Sequence, residues 1–152
     1  MTQSRIVLGS DHAGYPLKEK CLAHLEETGY VCEDVGTNSP ESCDYPKFAA
    51  LVCQRVLESE VPGLLICGTG LGMSMTANRF PGIRAALCHE EFAARMARRH
   101  NNANILCLGA RVVGEDRALA VLSMFLRTGF EGGRHEERVR LIDELSAESI
   151  CS

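Results

Sequence analysis

Short apolar runs alternate along this chain with longer stretches in which apolar residues recur at helical spacing. The apolar runs predict strands over Arg5 to Gly9, Tyr30 to Val35, Gly63 to Cys67, Ile83 to Cys88 and Asn104 to Leu108. Strands that alternate with helices are typical of β-α units around a parallel sheet, because parallel neighbours need a long crossover connection. The pattern therefore predicts one α/β domain over residues 1–152.

The helical stretches fall between these strands and after the last of them. They cover Leu17 to Leu25, Pro46 to Leu57, Met73 to Asn78, Glu90 to Arg99, Glu115 to Arg127, and about Arg134 to about Ala147. Gly29 would end the first helix, and Pro46 is a favourable first residue for the second. Both helices carry an apolar stripe, so we expect them to pack on the sheet.

In an open parallel sheet, ligands bind beyond the carboxyl ends of the strands. This rule brings together the polar residues that follow strands, which are Asp11, His12, Asp44, Tyr45, Cys67 to Gly72, and Arg111. His100 and Asn101 instead precede the fifth strand, at the opposite end of the sheet. A polar histidine suits acid-base chemistry, and a symmetric dimer could bring it to a neighbour's site.

Composition narrows the class of protein. Hydrophobic residues make up 45% of the chain and charged residues 24%, as in ordinary soluble domains. The net charge of −4 gives no general attraction for nucleic acid, so an anionic partner would be small and held by a local basic cluster. No apolar run approaches the roughly 18 residues of a membrane span, and the first residues do not resemble a signal peptide. We expect a cytoplasmic protein that binds neither membranes nor nucleic acid.

The eight cysteines include no C-x-x-C pair, and no Cys and His set has metal-ligand spacing. Most lie where Val or Ala would serve, which predicts reduced thiols in the core and no metal site. Cys67 is different because it ends a strand and opens into Gly68-Thr69-Gly70-Leu71-Gly72.

Such a turn lets successive N–H groups converge on an anion, and the next helix adds the positive end of its dipole. The arrangement would favour the thiolate of Cys67 and suits proton transfer next to a carbonyl, with the turn stabilising the oxyanion. A dinucleotide fingerprint would need a glycine at Met73, and an NTPase phosphate loop would need a lysine after its last glycine. A purely structural strand-to-helix turn is the alternative.

Arg134 and Arg138 lie four residues apart at the start of the last helix, where both could bind one phosphate. An equally consistent alternative is a Gly-Gly hinge before a solvated amphipathic helix. In that case the helix would bury Val139, Ile142 and Leu145.

Motifs over nearly the whole chain resemble the type B ribose-5-phosphate isomerases, in the wider family that includes galactose-6-phosphate isomerase subunits. They are Gly9-Ser10-Asp11-His12-Ala13-Gly14, Asp34-Val35-Gly36-Thr37, Asp44-Tyr45-Pro46, Ile66-Cys67-Gly68-Thr69-Gly70, Ala77-Asn78, Gly82-Ile83-Arg84-Ala85, His100-Asn101, Gly109-Ala110-Arg111 and Gly132-Gly133-Arg134-His135. The resemblance implies a single-domain three-layer α/β/α Rossmann-like fold with a five-stranded parallel sheet and a C-terminal helix used in dimerisation.

The resemblance also implies an activity in the non-oxidative branch of the pentose phosphate pathway. The enzyme would interconvert ribose 5-phosphate and ribulose 5-phosphate without metal or organic cofactor, as a homodimer, or sometimes a tetramer, with shared active sites. Cys67 would move the proton between C1 and C2. One branch of the family uses a glutamate as the base, and that glutamate would lie at the position of Met73 in this chain. Cys67 therefore marks the thiol branch. Thr69 and the turn would stabilise the enediolate, and His100 would open the furanose ring.

Further residues are expected to contact the substrate by the same resemblance. Asp11 and Tyr45 would lie near the sugar, and Asn101 near the intermediate. The remaining substrate contacts implied are His12, Gly68, Gly70, Leu71, Gly72, Ser74, Arg111, Arg134 and Arg138, of which the two C-terminal arginines come from the partner subunit. Alternatives are an isomerase of allose 6-phosphate or galactose 6-phosphate, a non-catalytic phosphosugar-binding module, and a thiol redox protein.

Overall fold

The central sheet consists of the strands β1 (Arg5–Ser10), β2 (Val31–Asp34), β3 (Gly63–Cys67), β4 (Ala85–Leu87) and β5 (Ile105–Gly109). In a computed structural model that describes residues 2–145, they form one five-stranded sheet in the order β2-β1-β3-β5-β4. All neighbours pair in parallel, and Cys67 at the end of β3 lies opposite Gly109 of β5. The predicted parallel sheet is confirmed.

Helices cover both faces of the sheet. They are α1 (Tyr15–Glu27), α2 (Tyr45–Ser59), α3 (Leu71–Ala77), α4 (Glu91–Arg99), α5 (Glu115–Arg127) and α6 (Arg134–Glu144). Buried residues of α1, α4 and α5 form one core cluster with one side of the strands, and those of α2 and α3 form another with the opposite side. Alternate strand residues face opposite sides, so Ile66 lies in the first cluster and Cys67 in the second. The result is the expected three-layer α/β/α arrangement.

Several predicted element boundaries were wrong by one or two residues. The fourth strand begins at Ala85 rather than Ile83, because the Arg84 N–H donates to the Asn104 side chain at 2.8 Å instead of entering the ladder. The second helix begins at Tyr45, so Pro46 is its second residue. The last helix ends at Glu144, and the predicted end near Ala147 lies outside the described residues.

The alternative in which the last helix is purely structural predicted a buried apolar side, and helix α6 does not bury one. Ile142 is 53% exposed and Leu145 is 60% exposed, whereas the buried residue of the helix is His135. The helix touches the rest of this chain through single contacts such as the Gly82 N–H, which donates to Asp143 at 3.3 Å. Its apolar side therefore faces away from the described core.

A fully buried lysine on α1 fixes the loop that follows β2. The Lys18 ammonium forms an ion pair with Asp34 at 2.6 Å and donates to the Thr37 carbonyl at 2.6 Å. A buried charge is tolerated only when paired and hydrogen-bonded, so both contacts restrain the loop. The ion pair therefore fixes the position of this loop at the carboxyl edge of the sheet.

Among the described residues, no helix combines the length and the apolar character needed to cross a membrane.

Candidate active site

Cys67 lies at the carboxyl end of β3 with its side chain at the mouth of the glycine turn. The residue is 5% exposed, and its Sγ accepts a hydrogen bond from the Gly70 N–H at 3.1 Å. A hydrogen bond donated to sulfur stabilises negative charge on it more than it stabilises the neutral thiol. The turn therefore holds the Cys67 sulfur in place beside its backbone N–H groups.

The turn owes its shape to a backbone conformation that favours glycine. Gly70 has φ +78°, and a Cβ there would lie 2.4 Å from the Leu87 side chain. Thr69 is exposed, and its hydroxyl accepts from the Leu71 N–H at 3.3 Å. Because the first N–H groups of a helix have no intrahelical acceptor, those of Gly72 and Met73 at the start of α3 can bind an oxyanion.

The loop after β1 contributes Asp11 and His12 to the same edge. The Asp11 N–H donates to the Ile66 carbonyl at 3.2 Å, and its buried carboxylate accepts from the Gly14 N–H at 3.0 Å. The Cys43 N–H donates to Nδ1 of His12 at 3.2 Å. In a neutral imidazole whose Nδ1 accepts, the proton is on Nε2, so His12 is assigned as a donor at that atom.

Tyr45 and Arg111 flank the turn. A Cβ built on Gly72 would lie 2.5 Å from Cζ of Tyr45, so the phenol ring packs against the first turn of α3. A Cβ on Gly68 would lie 2.9 Å from a guanidinium nitrogen of Arg111. The backbone N–H of Arg111 also donates to the Gly68 carbonyl at 2.9 Å. The phenol and the guanidinium therefore both pack against the glycine turn.

The structure thus brings one group of the predicted residues together and leaves another apart. The catalytic edge, as we call the first group, comprises Asp11, His12, Tyr45, Cys67 to Gly72, Ser74 and Arg111. The Ser74 hydroxyl donates to the Leu71 carbonyl at 2.9 Å. The second group comprises His100, Asn101, Arg134 and Arg138. His100 directly follows α4 and precedes β5, whereas Cys67 pairs with the last residue of β5.

His100 has a neighbour that sequence reasoning missed. Its ring stacks on that of His135 with centroids 4.3 Å apart, and its Nε2 lies 4.0 Å from Glu131. Burial lowers the pKa of His135, and the nearby charges of His100 and Arg134 act in the same direction. Ligand atoms of His100, Glu131 and His135 lie within 4.8 Å of one another. We call these three residues the histidine cluster; Glu131 and His135 are close in the sequence, but β5 and α5 separate them from His100.

The seven cysteines that the structure describes are free thiols, as predicted. Burial raises the pKa of Cys21 and Cys53 to about 12, and raises that of Cys107 well above the usual range. Burial also raises the pKa of Cys32 and Cys88 to about 11. These thiols are protonated near neutral pH and are therefore poor nucleophiles.

Alkylation should distinguish Cys67 from these buried thiols. At pH 8, iodoacetamide is expected to label Cys67 ahead of Cys21, Cys53 and Cys107, and a sugar phosphate should slow the labelling. Peptide mass spectrometry measures this, with the denatured protein as the control in which every cysteine reacts. Equally fast labelling of the buried thiols in the folded protein would contradict the assignment.

Comparison with known proteins places the chain in a family. The ribose/galactose isomerase family model matches residues 6–142. The chain is 46% identical over 139 residues to ribose-5-phosphate isomerase B of Escherichia coli, and the aligned region covers 91% of this chain and 93% of that protein. It is 39% identical over 142 residues to ribose-5-P isomerase B of Listeria innocua, covering 93% and 96%.

Solved structures agree with these relatives. A ribose 5-phosphate isomerase from Thermotoga maritima superposes with a TM-score of 0.92 at 52% identity, covering 94% of this chain and 99% of that one. The type B ribose 5-phosphate isomerase of Trypanosoma brucei gives a TM-score of 0.91 at 38% identity, covering 95% and 100%. Since the family match extends from β1 into α6, this chain belongs to the ribose/galactose isomerase family.

Proposed function

We propose that this chain is a ribose-5-phosphate isomerase that uses Cys67 as the base and needs no cofactor. The observation that carries the proposal is the Cys67 sulfur, which accepts the Gly70 N–H at 3.1 Å beside the free N–H groups of α3. Relatives of this chain bear the name ribose-5-phosphate isomerase B at 46% and 39% identity, which supports the substrate.

The chemistry follows from where charge develops. The Cys67 thiolate removes the proton from C2 of the open-chain aldose, and the electron pair of that C–H bond forms the C1–C2 double bond of an enediolate. The negative charge then rests on oxygen, where the N–H groups of Gly72 and Met73 stabilise it. The hydroxyl proton on O2 then moves to O1, and return of the proton from sulfur to C1 completes a ketose with its carbonyl at C2 and a hydroxyl at C1.

The phosphate and the closed sugar ring require residues from both groups. His12, a donor at Nε2, and Arg111 would bind the phosphate from the catalytic edge. Arg134 and Arg138 would complete its binding, and His100 would move the proton that opens the furanose ring. Asp11 and Tyr45 would bind the sugar, with Asn101 near the intermediate.

These roles require a second subunit, so we include a homodimer in the proposal. His100 and Cys67 lie at opposite ends of β5 in one chain, and a two-fold axis can bring one subunit's His100 to the other's Cys67. Exposed apolar residues accompany both groups: Leu71 and Met75 on α3 are 49% and 65% exposed, and Ile142 on α6 is 53% exposed. Burying such residues between subunits would supply the interface.

Incubation with ribose 5-phosphate in deuterated water tests the activity. We expect ribulose 5-phosphate, with deuterium bound to carbon after prolonged equilibration, because the proton that Cys67 holds while the enediolate is bound can exchange with solvent before it returns to carbon. Binding of ribose 5-phosphate without ketose formation would favour a phosphosugar-binding module. A higher kcat/KM for allose 6-phosphate or galactose 6-phosphate than for ribose 5-phosphate would favour a six-carbon substrate.

The proposed phosphate contacts of α6 predict a specific kinetic effect. Arg134→Ala and Arg138→Ala should each raise KM by roughly 10–100-fold, the amount expected for losing a hydrogen bond to a charged group, with little change in kcat. Steady-state kinetics measures this. Arg140→Ala is the matched control, since Arg140 lies on the same helix but pairs with Glu137 and Glu144. An equal KM increase in that control would assign the effect to helix stability.

A further inference from the structure

The histidine cluster has the donor set of a transition-metal site. His100 Nε2 lies 4.0 Å from Glu131, and one ligand atom from each of the three residues falls within 4.8 Å of the other two. Two imidazoles and one carboxylate are ligands that zinc, cobalt and nickel ions accept. The site could not be found from the sequence, because the loop after α5 and the turn of α6 bring the residues together.

An independent observation points to a ligand at this place. His135 is only 5% exposed, and its Nε2 has no hydrogen-bond partner among residues 2–145. A buried polar nitrogen without a partner costs free energy, which a bound cation or water would recover. Its neighbour His100 stacks on the same ring and is partly exposed, so an ion can reach the pair from solvent.

Holding an ion requires the histidine stack to open, because each imidazole lone pair lies in its ring plane and two stacked rings cannot both direct theirs at one ion. Ligand atoms around tetrahedral zinc lie about 3.3 Å apart, given metal–ligand distances of about 2.0–2.1 Å. The cluster must therefore contract by about 1–1.5 Å. His100 and Glu131 are 39% and 40% exposed, so rotation of their side chains can supply this movement while His135 stays in place.

The surrounding charge limits the affinity and selects the ion. Arg99 already pairs with Glu131 at 3.0 Å, and Arg134 lies close enough to affect His135. This positive charge disfavours magnesium and calcium, which rely on several anionic oxygens. Ions that bond well to neutral imidazole nitrogen are less affected, so zinc, cobalt and nickel are favoured.

We propose that His100, Glu131 and His135 bind a divalent transition-metal ion such as zinc, and that the bound ion inhibits the isomerase reversibly. The inhibition rests on the proposed function, in which His100 moves the ring-opening proton. An imidazole nitrogen bonded to a metal has committed the lone pair that would accept this proton. The ion would also fix the His100 side chain beside Glu131 and His135, so that it could not move a proton on the neighbouring subunit's sugar.

Cobalt titration followed by visible absorption tests binding without any sugar. We expect tetrahedral d–d bands with the intact protein, and an apparent Kd raised at least about tenfold in Glu131→Gln and in His135→Gln. Glu131 is exposed, so its variant should fold even if the buried His135 variant does not. His24→Gln on α1 is the matched control and should titrate like the parent protein. An unchanged titration in Glu131→Gln, or a sulfur-to-cobalt charge-transfer band in its place, would overturn the site.

Inhibition is measured separately with zinc and ribose 5-phosphate. Zinc should lower turnover, and a chelator should restore it. The half-inhibiting zinc concentration should be about tenfold higher for Glu131→Gln than for the parent protein, with each protein measured against its own uninhibited rate. Cobalt binding without inhibition by zinc would overturn the regulatory part of the proposal. A protein that binds cobalt as expected but converts no sugar phosphate would contradict the proposed function and leave the metal site standing.

Discussion

Replacing Cys67 with alanine is expected to lower kcat by about 10²–10⁴, the range associated with a general base, while ribose 5-phosphate still binds. The N–H groups of α3 and the phosphate-binding side chains remain in the variant, so the loss should fall on the proton transfer. Steady-state turnover and calorimetric binding of the sugar phosphate measure the two quantities independently.

Cys53→Ala provides the matched control for this experiment. Cys53 lies in the same core cluster as Cys67, and burial raises its pKa to about 12, so it should be chemically silent. Removing its sulfur should cost some stability and leave kcat near that of the parent protein. Undiminished turnover in Cys67→Ala would exclude Cys67 as the base.

Mixing two impaired variants should restore activity if the sites are shared. One variant carries Cys67→Ala, and the other carries Arg134→Ala together with Arg138→Ala. In a mixed dimer one site would contain both lesions and the other neither, so the intact site should turn over normally. The assay is turnover at low ribose 5-phosphate after the subunits have exchanged, compared with each variant alone.

The matched control mixes Cys67→Ala with Arg111→Ala. Arg111 packs against Gly68 of its own chain, so each site of the mixed dimer would still carry one lesion. No recovery is expected there. Failure of the first mixture to recover despite demonstrated subunit exchange would place Arg134 and Arg138 in the same chain's site as Cys67. Recovery in the control would mean that Arg111 does not act in the same site as the Cys67 of its own chain.

Local sequence signals predicted most of the fold because they agree with its packing. The residues of β3 are buried on both sides of the sheet, which produces the uninterrupted apolar run that ends at Cys67. Helix α5 has the predicted bounds, Glu115–Arg127. The fourth strand was less predictable, because hydrogen bonds to Asn104, twenty positions away, decide where it begins.

The catalytic edge was predictable from a topological rule, whereas the histidine cluster was not. Asp11, Tyr45 and Arg111 each follow a strand, and parallel strands end at one edge. His135 gave no such signal: it lies at the start of a polar helix, yet it is buried, and its ring stacks on that of His100. Long-range contacts of this kind leave no periodicity in the sequence.

The glycine turn is fixed mainly by contacts between main-chain atoms. A Cβ on Gly109 would lie 2.6 Å from the Thr69 backbone, and one on Gly14 would lie 2.3 Å from the Ile66 carbonyl oxygen. By contrast, the Leu71 side chain is 49% exposed and takes no part in those contacts. Substitutions at residue 71 are therefore expected to leave the main-chain arrangement of the turn intact.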